Sequence, residues 1–263
     1  MTFKPLLFFC LLLSFSCNNT ATSSANKLKS VEKSVENLTN KNPFHTISDI
    51  PLPRGFVRVS AVNNSFAGWL RNIVLKENKT VYLFDGSIKT NQLAQFAVMD
   101  ISVGNKNLQQ CADAVMRLRA EYLFAEKKYE KIIFTDNDNT SYSFKPPYTK
   151  YNLAKCMEKV FGMCGSASLS KQLKPITNFS AIQPGDVIIR GGFPGHAVIV
   201  VDAAENKTGK KIFMLAQSYM PAQDIHILVN PLNKKLSPWY EVDEELKIIT
   251  PEYLFYTNEL KSW

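Results

Sequence analysis

The chain has 263 residues, 45% hydrophobic and 21% charged, a composition that can build an ordinary globular core and excludes a low-complexity polymer. Its formal charge of +8 comes from scattered lysines rather than a basic run interleaved with aromatics, which argues for solubility and against nucleic-acid recognition. Five cysteines and three histidines show no Cys-x-x-Cys and no paired histidines, so metal-ligand spacing is absent and no motif asks for a cofactor.

Lys4 supplies a positive start, residues 6–13 an apolar core, and Ser14-Phe15-Ser16-Cys17 its end. That core is too short for a permanent membrane helix, so residues 1–17 are read as an export signal. The segment resembles a bacterial lipoprotein cleavage site, which implies that Cys17 becomes an acylated N-terminus anchored in the membrane; plain secretion is the alternative. Residues 18–48, rich in Asn, Ser, Thr and Lys, read as a solvated tether. Leu28, Val31, Val35 and Leu38 allow a short helix within it, and His45 reads as an exposed loop residue.

No second composition break follows, so residues 49–263 are expected to form one domain. Residues 56–59 predict a short strand, and Ser65 an N-cap for a helix through Trp69 and Leu70. Residues 81–84, leaving through Asp85-Gly86, predict another strand, and the alternation of 95–103 predicts a central one. Residues 107–126 give the clearest helix. Asn107 with Gln110 fits a capping box, Val115, Leu118, Tyr122 and Ala125 mark a buried face, and Asp113, Arg117 and Glu121 form a charged ladder. Two short runs, 132–134 and 142–144, flank an Asp-Asn-Asp-Asn turn as a hairpin; residues 152–161 predict a helix, 162–168 a break, and 169–173 the start of another helix.

Residues 183–202 are the centre of the chain. Pro184-Gly185 is a turn signal, Val187, Ile188 and Ile189 a β-branched run, and residues 191–195 a reversal rich in glycine. Residues 197–201 are apolar on both faces, as in a strand covered on both sides. His196 stands where loop becomes strand, after a glycine that leaves room for a backbone or a substrate to come close. Strands over 211–218 and 225–229 follow, and an aromatic tail beginning at Pro238-Trp239-Tyr240 is expected to close over the sheet.

With Cys10 and Cys17 in the signal, three thiols remain. Cys156 and Cys164 are read as core residues or a local disulfide. Cys111 lies in the first turn and a half of its helix, where backbone amides and the dipole favour thiolate, and His196 could act as its base, oriented by Gln217 or Ser218. The competing reading makes Cys111 a small buried hydrophobe.

The segments LQQCADAVMRLRAEYL, QPGDVIIRGGFPGHAVIVVD and LAQSYMPAQDIHIL resemble those of envelope lipoproteins catalogued as domain of unknown function 4846. More distantly they are similar to the NlpC-type and CHAP amidases of the papain-like superfamily. That resemblance implies an α+β papain-like fold, an antiparallel sheet packed against a helix bearing the cysteine. It also implies a cysteine amidohydrolase or peptidase with Cys111 as nucleophile, His196 as base and Gln217 as orienter, and with Gln110 near the oxyanion hole. Ala216 stands where CHAP sequences tend to carry Glu, so the orienter here would be uncharged. Ser218, Gln223 and His226 are expected to line the cleft, and cell-wall peptides to be the substrate. Two rivals are a binding lipoprotein without turnover, and a scaffold subunit marked by an exposed patch of Trp239, Tyr240, Tyr253 and Phe255.

Overall fold

The computed structural model describes residues 40–241 and 246–263. Contacts divide the chain into a unit ending at Lys41, almost all of it outside the described residues together with the signal and Cys17, and the unit Asn42–Trp263. The tether expected over 18–48 ends earlier than its composition suggests. Asn42 is buried and bonds the carbonyls of Phe44 and Lys76, while Ile47 and Ile50 are fully enclosed in the core. Burying two branched side chains offsets the cost of ordering a polar stretch that has no aromatic core of its own except Phe44.

In chain order the described elements are β1 (Phe56–Arg58), α1 (Phe66–Arg71), β2 (Gln95–Val98), α2 (Cys111–Ala125), β3 (Ile133–Thr135), β4 (Ser141–Ser143), α3 (Lys150–Met163), α4 (Ser166–Gln172), β5 (Lys174–Pro175), β6 (Val187–Arg190), β7 (His196–Asn206), β8 (Lys211–Gln217), β9 (His226–Leu228), β10 (Trp239–Tyr240), β11 (Lys247–Ile249), β12 (Leu254–Tyr256) and β13 (Leu260–Ser262). The main sheet runs β2-β9-β8-β7-β6-β13-β5, with β1 on the far half of β7 and β10 on β8. Its pairings are antiparallel, so the molecule is a mixed α+β fold on an antiparallel sheet.

The sheet is covered on both faces, as the apolar run in β7 requires. Ala197, Ile199 and Val201 enter one cluster with Val115, Leu118, Leu153 and Leu169 from the helices; Val198 and Val200 enter another with Ile248 and Phe255 from the β11–β12 hairpin. The β7–β8 register shifts between Val200 and Asp202, a β-bulge that sets two residues of β7 against one of β8. Beyond it Ala204 joins the helix-side cluster and Ala203 the other.

Several expectations need correction. Residues 81–84 form no strand; Tyr82 and Leu83 make isolated bridges to Ile88 and Gln223. β2 stops at Val98 and lies at an end of the sheet's strand order beside β9; past it Met99 still donates to Ile225 O, while Asp100 turns its amide to Val74 O. α3 continues to Met163, so its break is only Cys164-Gly165. Trp239, Tyr240 and Phe255 are buried rather than an exposed patch, the Trp239 indole donating to Pro51 O at 3.0 Å.

Candidate functional site

α2 starts three residues later than its capping pattern suggests. Its N-cap is Gln110, whose backbone N–H donates to Asp113 Oδ2 at 2.9 Å, and Cys111 is the first helical residue. Asn107 is not free to cap, because its Oδ1 accepts the Ala222 N–H at 2.8 Å and so ties the approach to α2 to the loop after β8. The same loop is stapled by Ser218, whose hydroxyl sits 2.9 Å from Gln109 O and 2.8 Å from Gln223 O. Asp113 leaves the charged ladder: it is buried, Oδ1 has no partner, and burial pushes its carboxyl up to about 8. Arg117 and Glu121 do pair, at 2.9 Å.

Cys111 is buried, 9% exposed, yet belongs to neither apolar cluster. Its sulfur meets the backbone N–H of Ala197, the residue after His196, so two segments far apart in sequence come together at the start of β7. The expected thiolate is not favoured at rest. Burial pushes the thiol above its ordinary value and outweighs the N–H groups of Ala197 and Ala112 that draw it down; nearby Asp113 adds to the rise. A helix N-terminus lowers a thiol and apolar burial raises it, and here burial is the larger of the two.

His196 is 2% exposed and pairs with Arg190 across the β6–β7 hairpin. The glycine before it serves backbone packing. A Cβ on Gly195 would come within 2.7 Å of the carbonyls of Arg190 and Gly192 and would overlap Ser166 of α4. The ring alternates onto the hairpin side of the sheet, where Tyr219, Tyr253 and Phe255 pack on it at centroid distances of 4.8, 4.9 and 5.7 Å. Nε2 lies 2.8 Å from Gln217 Oε1, and among the described residues no hydrogen bond joins the ring to Cys111. Burial holds the imidazole at about 4, against the upward pull of Gln217 and Glu252, so it is neutral at neutral pH.

Gln217 leads onward. Its Nε2 lies 2.8 Å from Glu252 Oε2, which takes an ion pair from Lys89 Nζ at 2.7 Å, while Asn91 Nδ2 reaches Glu252 Oε1 at 3.1 Å. Lys89 is buried, and burial lowers its ammonium on balance against the upward pull of Glu252. The sequence reading missed Lys89, Asn91, Tyr219, Glu252 and Tyr253. Pro251-Glu252 between two short apolar runs was a turn signal, but nothing local ties it to β8.

The other predicted site residues are placed differently. Ser218, Gln223 and His226 are buried, with β9 inserted between β2 and β8; His226 Nδ1 meets Asp224 O at 2.9 Å, and Nε2 has no partner among the described residues. Gln110 adjoins Cys111, and its side-chain Nε2 is 3.4 Å from Asn107 Oδ1. Cys156 and Cys164 are free thiols, with Cys164 in the core and pushed by burial up to about 11. A cleft of about 330 Å³ opens between residues 102–109, α2 and α3, over Leu153, Met157 and Phe161; it shares Gln109 with the site wall and includes neither Cys111 nor His196. Among the described residues, no group of His, Cys, Asp and Glu could hold a metal ion.

Residues 47–153 and 136–262 match the model of one family, described as domain of unknown function (4846), and the chain belongs to it. No curated protein and no solved structure matches.

Proposed function

We propose, taking that family membership as the premise, that the chain is a papain-like cysteine amidohydrolase or peptidase acting on amide bonds of cell-wall peptides. We further propose that it is exported and held by lipid on Cys17 in a bacterial envelope. The family description carries no activity, so the proposal stands on the residues, and its substrate class on the envelope address and the likeness to NlpC-type and CHAP amidases. One observation carries it. A thiol at a helix N-terminus meets the strand residue next to an imidazole, and that imidazole is held by a side-chain amide, Gln217, at 2.8 Å.

Thiol and imidazole both rest uncharged, so proton transfer belongs to the substrate complex. His196 takes the Cys111 proton as sulfur bonds to the scissile carbonyl carbon, and the carbonyl electron pair moves to oxygen. The N–H of Cys111 and the Gln110 amide, once released from Asn107, stabilise that oxyanion. Collapse expels the amine, which takes the proton from His196 and leaves a thioester. Water, deprotonated by His196, then attacks the thioester and releases the carboxylic acid and the thiol.

The burial of Cys111 and the aromatic cover on His196 favour a second reading, a binding lipoprotein that keeps the fold without turnover. Incubating the purified protein with cross-linked cell-wall peptides and reading products by mass spectrometry separates the two. The enzyme predicts cleavage that falls about 10³-fold or more in Cys111→Ala and in His196→Ala. No cleavage by the wild type, with equal peptide affinity in Cys111→Ser, establishes the binder and sinks the enzyme.

A further inference from the structure

We propose that Glu252 is a positioning residue: anchored by Lys89, it fixes which end of the Gln217 amide faces His196, and thereby which ring nitrogen carries the proton. A side-chain amide can be turned either way, and only its neighbours choose. Here the neighbours leave one choice. Glu252 Oε2 already faces the Lys89 ammonium at 2.7 Å and, as a carboxylate, can only accept. It therefore takes the N–H of Gln217 Nε2 at 2.8 Å, which turns Gln217 Oε1 toward the imidazole at 2.8 Å. An oxygen there requires a donor, so Nε2 of His196 carries the proton and Nδ1 keeps the lone pair.

The charge behind the ring is thus supplied one side chain further out, from the turn between β11 and β12. Asn91 holds the second carboxylate oxygen and prevents Glu252 from swinging away. All three anchors come from outside β7 and β8, so the ring's protonation is set by the turn between β11 and β12 and by the loop carrying Lys89. The meaning of the open Nδ1 as a base rests on the enzyme reading above. The geometry that selects it does not.

The test is nitrogen-15 NMR on the full chain labelled at histidine, a tractable target because there are only three histidines. Wild-type His196 should show one dominant form with the proton on Nε2. In Glu252→Gln the residue can donate as well as accept, and the preference for Nε2–H should fall about tenfold, the worth of one charge-assisted hydrogen bond. Lys89→Met with Glu252→Gln removes both charges together and leaves neither buried alone; it should give the same fall if the single variant does not fold. A wild-type ring protonated on Nδ1, or an unchanged ratio in the folded variant, overturns the proposal. Peptide cleavage is read separately: a tautomer shift without any wild-type cleavage keeps the positioning role and removes the enzyme.

Discussion

Two carboxylates, one fully buried and one half-buried, are used in opposite ways in this fold. Asp202, on β7, is fully enclosed and closes on itself: Arg58 Nε and Arg71 Nε each sit 2.6 Å from one of its oxygens, and the Ala203 N–H adds a third bond at 2.9 Å. The two guanidiniums reach on to the carbonyls of Ile50 and Val59, so the knot sews β1, α1 and β7 together. Glu252 has one cation and the Asn91 amide, and takes a further bond from Gln217 that leads to a histidine. Saturation makes a strut. A chain of polar groups that ends on an imidazole leaves one end able to change its proton.

The sharpest way to break that contrast is at the strut. Asp202→Ala leaves two arginines partly buried without a carboxylate and should lower unfolding stability by roughly 3–5 kcal/mol in urea titration. The histidine nitrogen signals of the folded fraction should stay in place. A movement of the His196 signals would mean that the two ends of β7 are one network.

Asp113 lies between the cases, with one oxygen bonded and the other without a partner. Its native carboxyl stays protonated up to about 8 while the unfolded chain ionises near its ordinary value. Its contribution is therefore present at acid pH and is lost as pH rises toward 8. Asp113→Asn, which keeps an acceptor for Gln110, should gain on the wild type by up to about 1.4 kcal/mol per pH unit between pH 5 and 8. A flat difference would mean that the native carboxyl is ionised. The smallest effect is expected from Asn91→Ala, about 1 kcal/mol of stability for one lost hydrogen bond, with the His196 tautomer unchanged because Lys89 still holds Glu252.

What the sequence made legible was local or periodic. Ser65 caps α1 through a bond from Gly68 N at 3.1 Å, the Asp-Asn-Asp-Asn turn joins β3 to β4, and the run after His196 is a strand covered on both sides. The places of Cys111, His196 and Gln217 were also readable, because each opens or closes a strong element. Glu252 and Lys89 were not. Their meeting depends on tertiary contacts across 163 positions of chain, which no local pattern encodes. The thiol's state was misread for a related reason: a helix N-terminus is visible in sequence, whereas the depth at which it is buried is not.

The bulge in β7 explains how one strand serves both carboxylate systems. His196 and Asp202 are an even number of positions apart, and in an unbroken pleat they would look the same way. The extra residue at the register shift resets the frame, so that Asp202 shares a face with Met214 and α1 while His196 shares one with the C-terminal hairpin. Deleting Val201 would remove the bulge and make the separation odd at one stroke, so the knot's acid would keep Met214 as its partner and still face away from the histidine's aromatic neighbours; the even spacing is what makes the extra residue necessary.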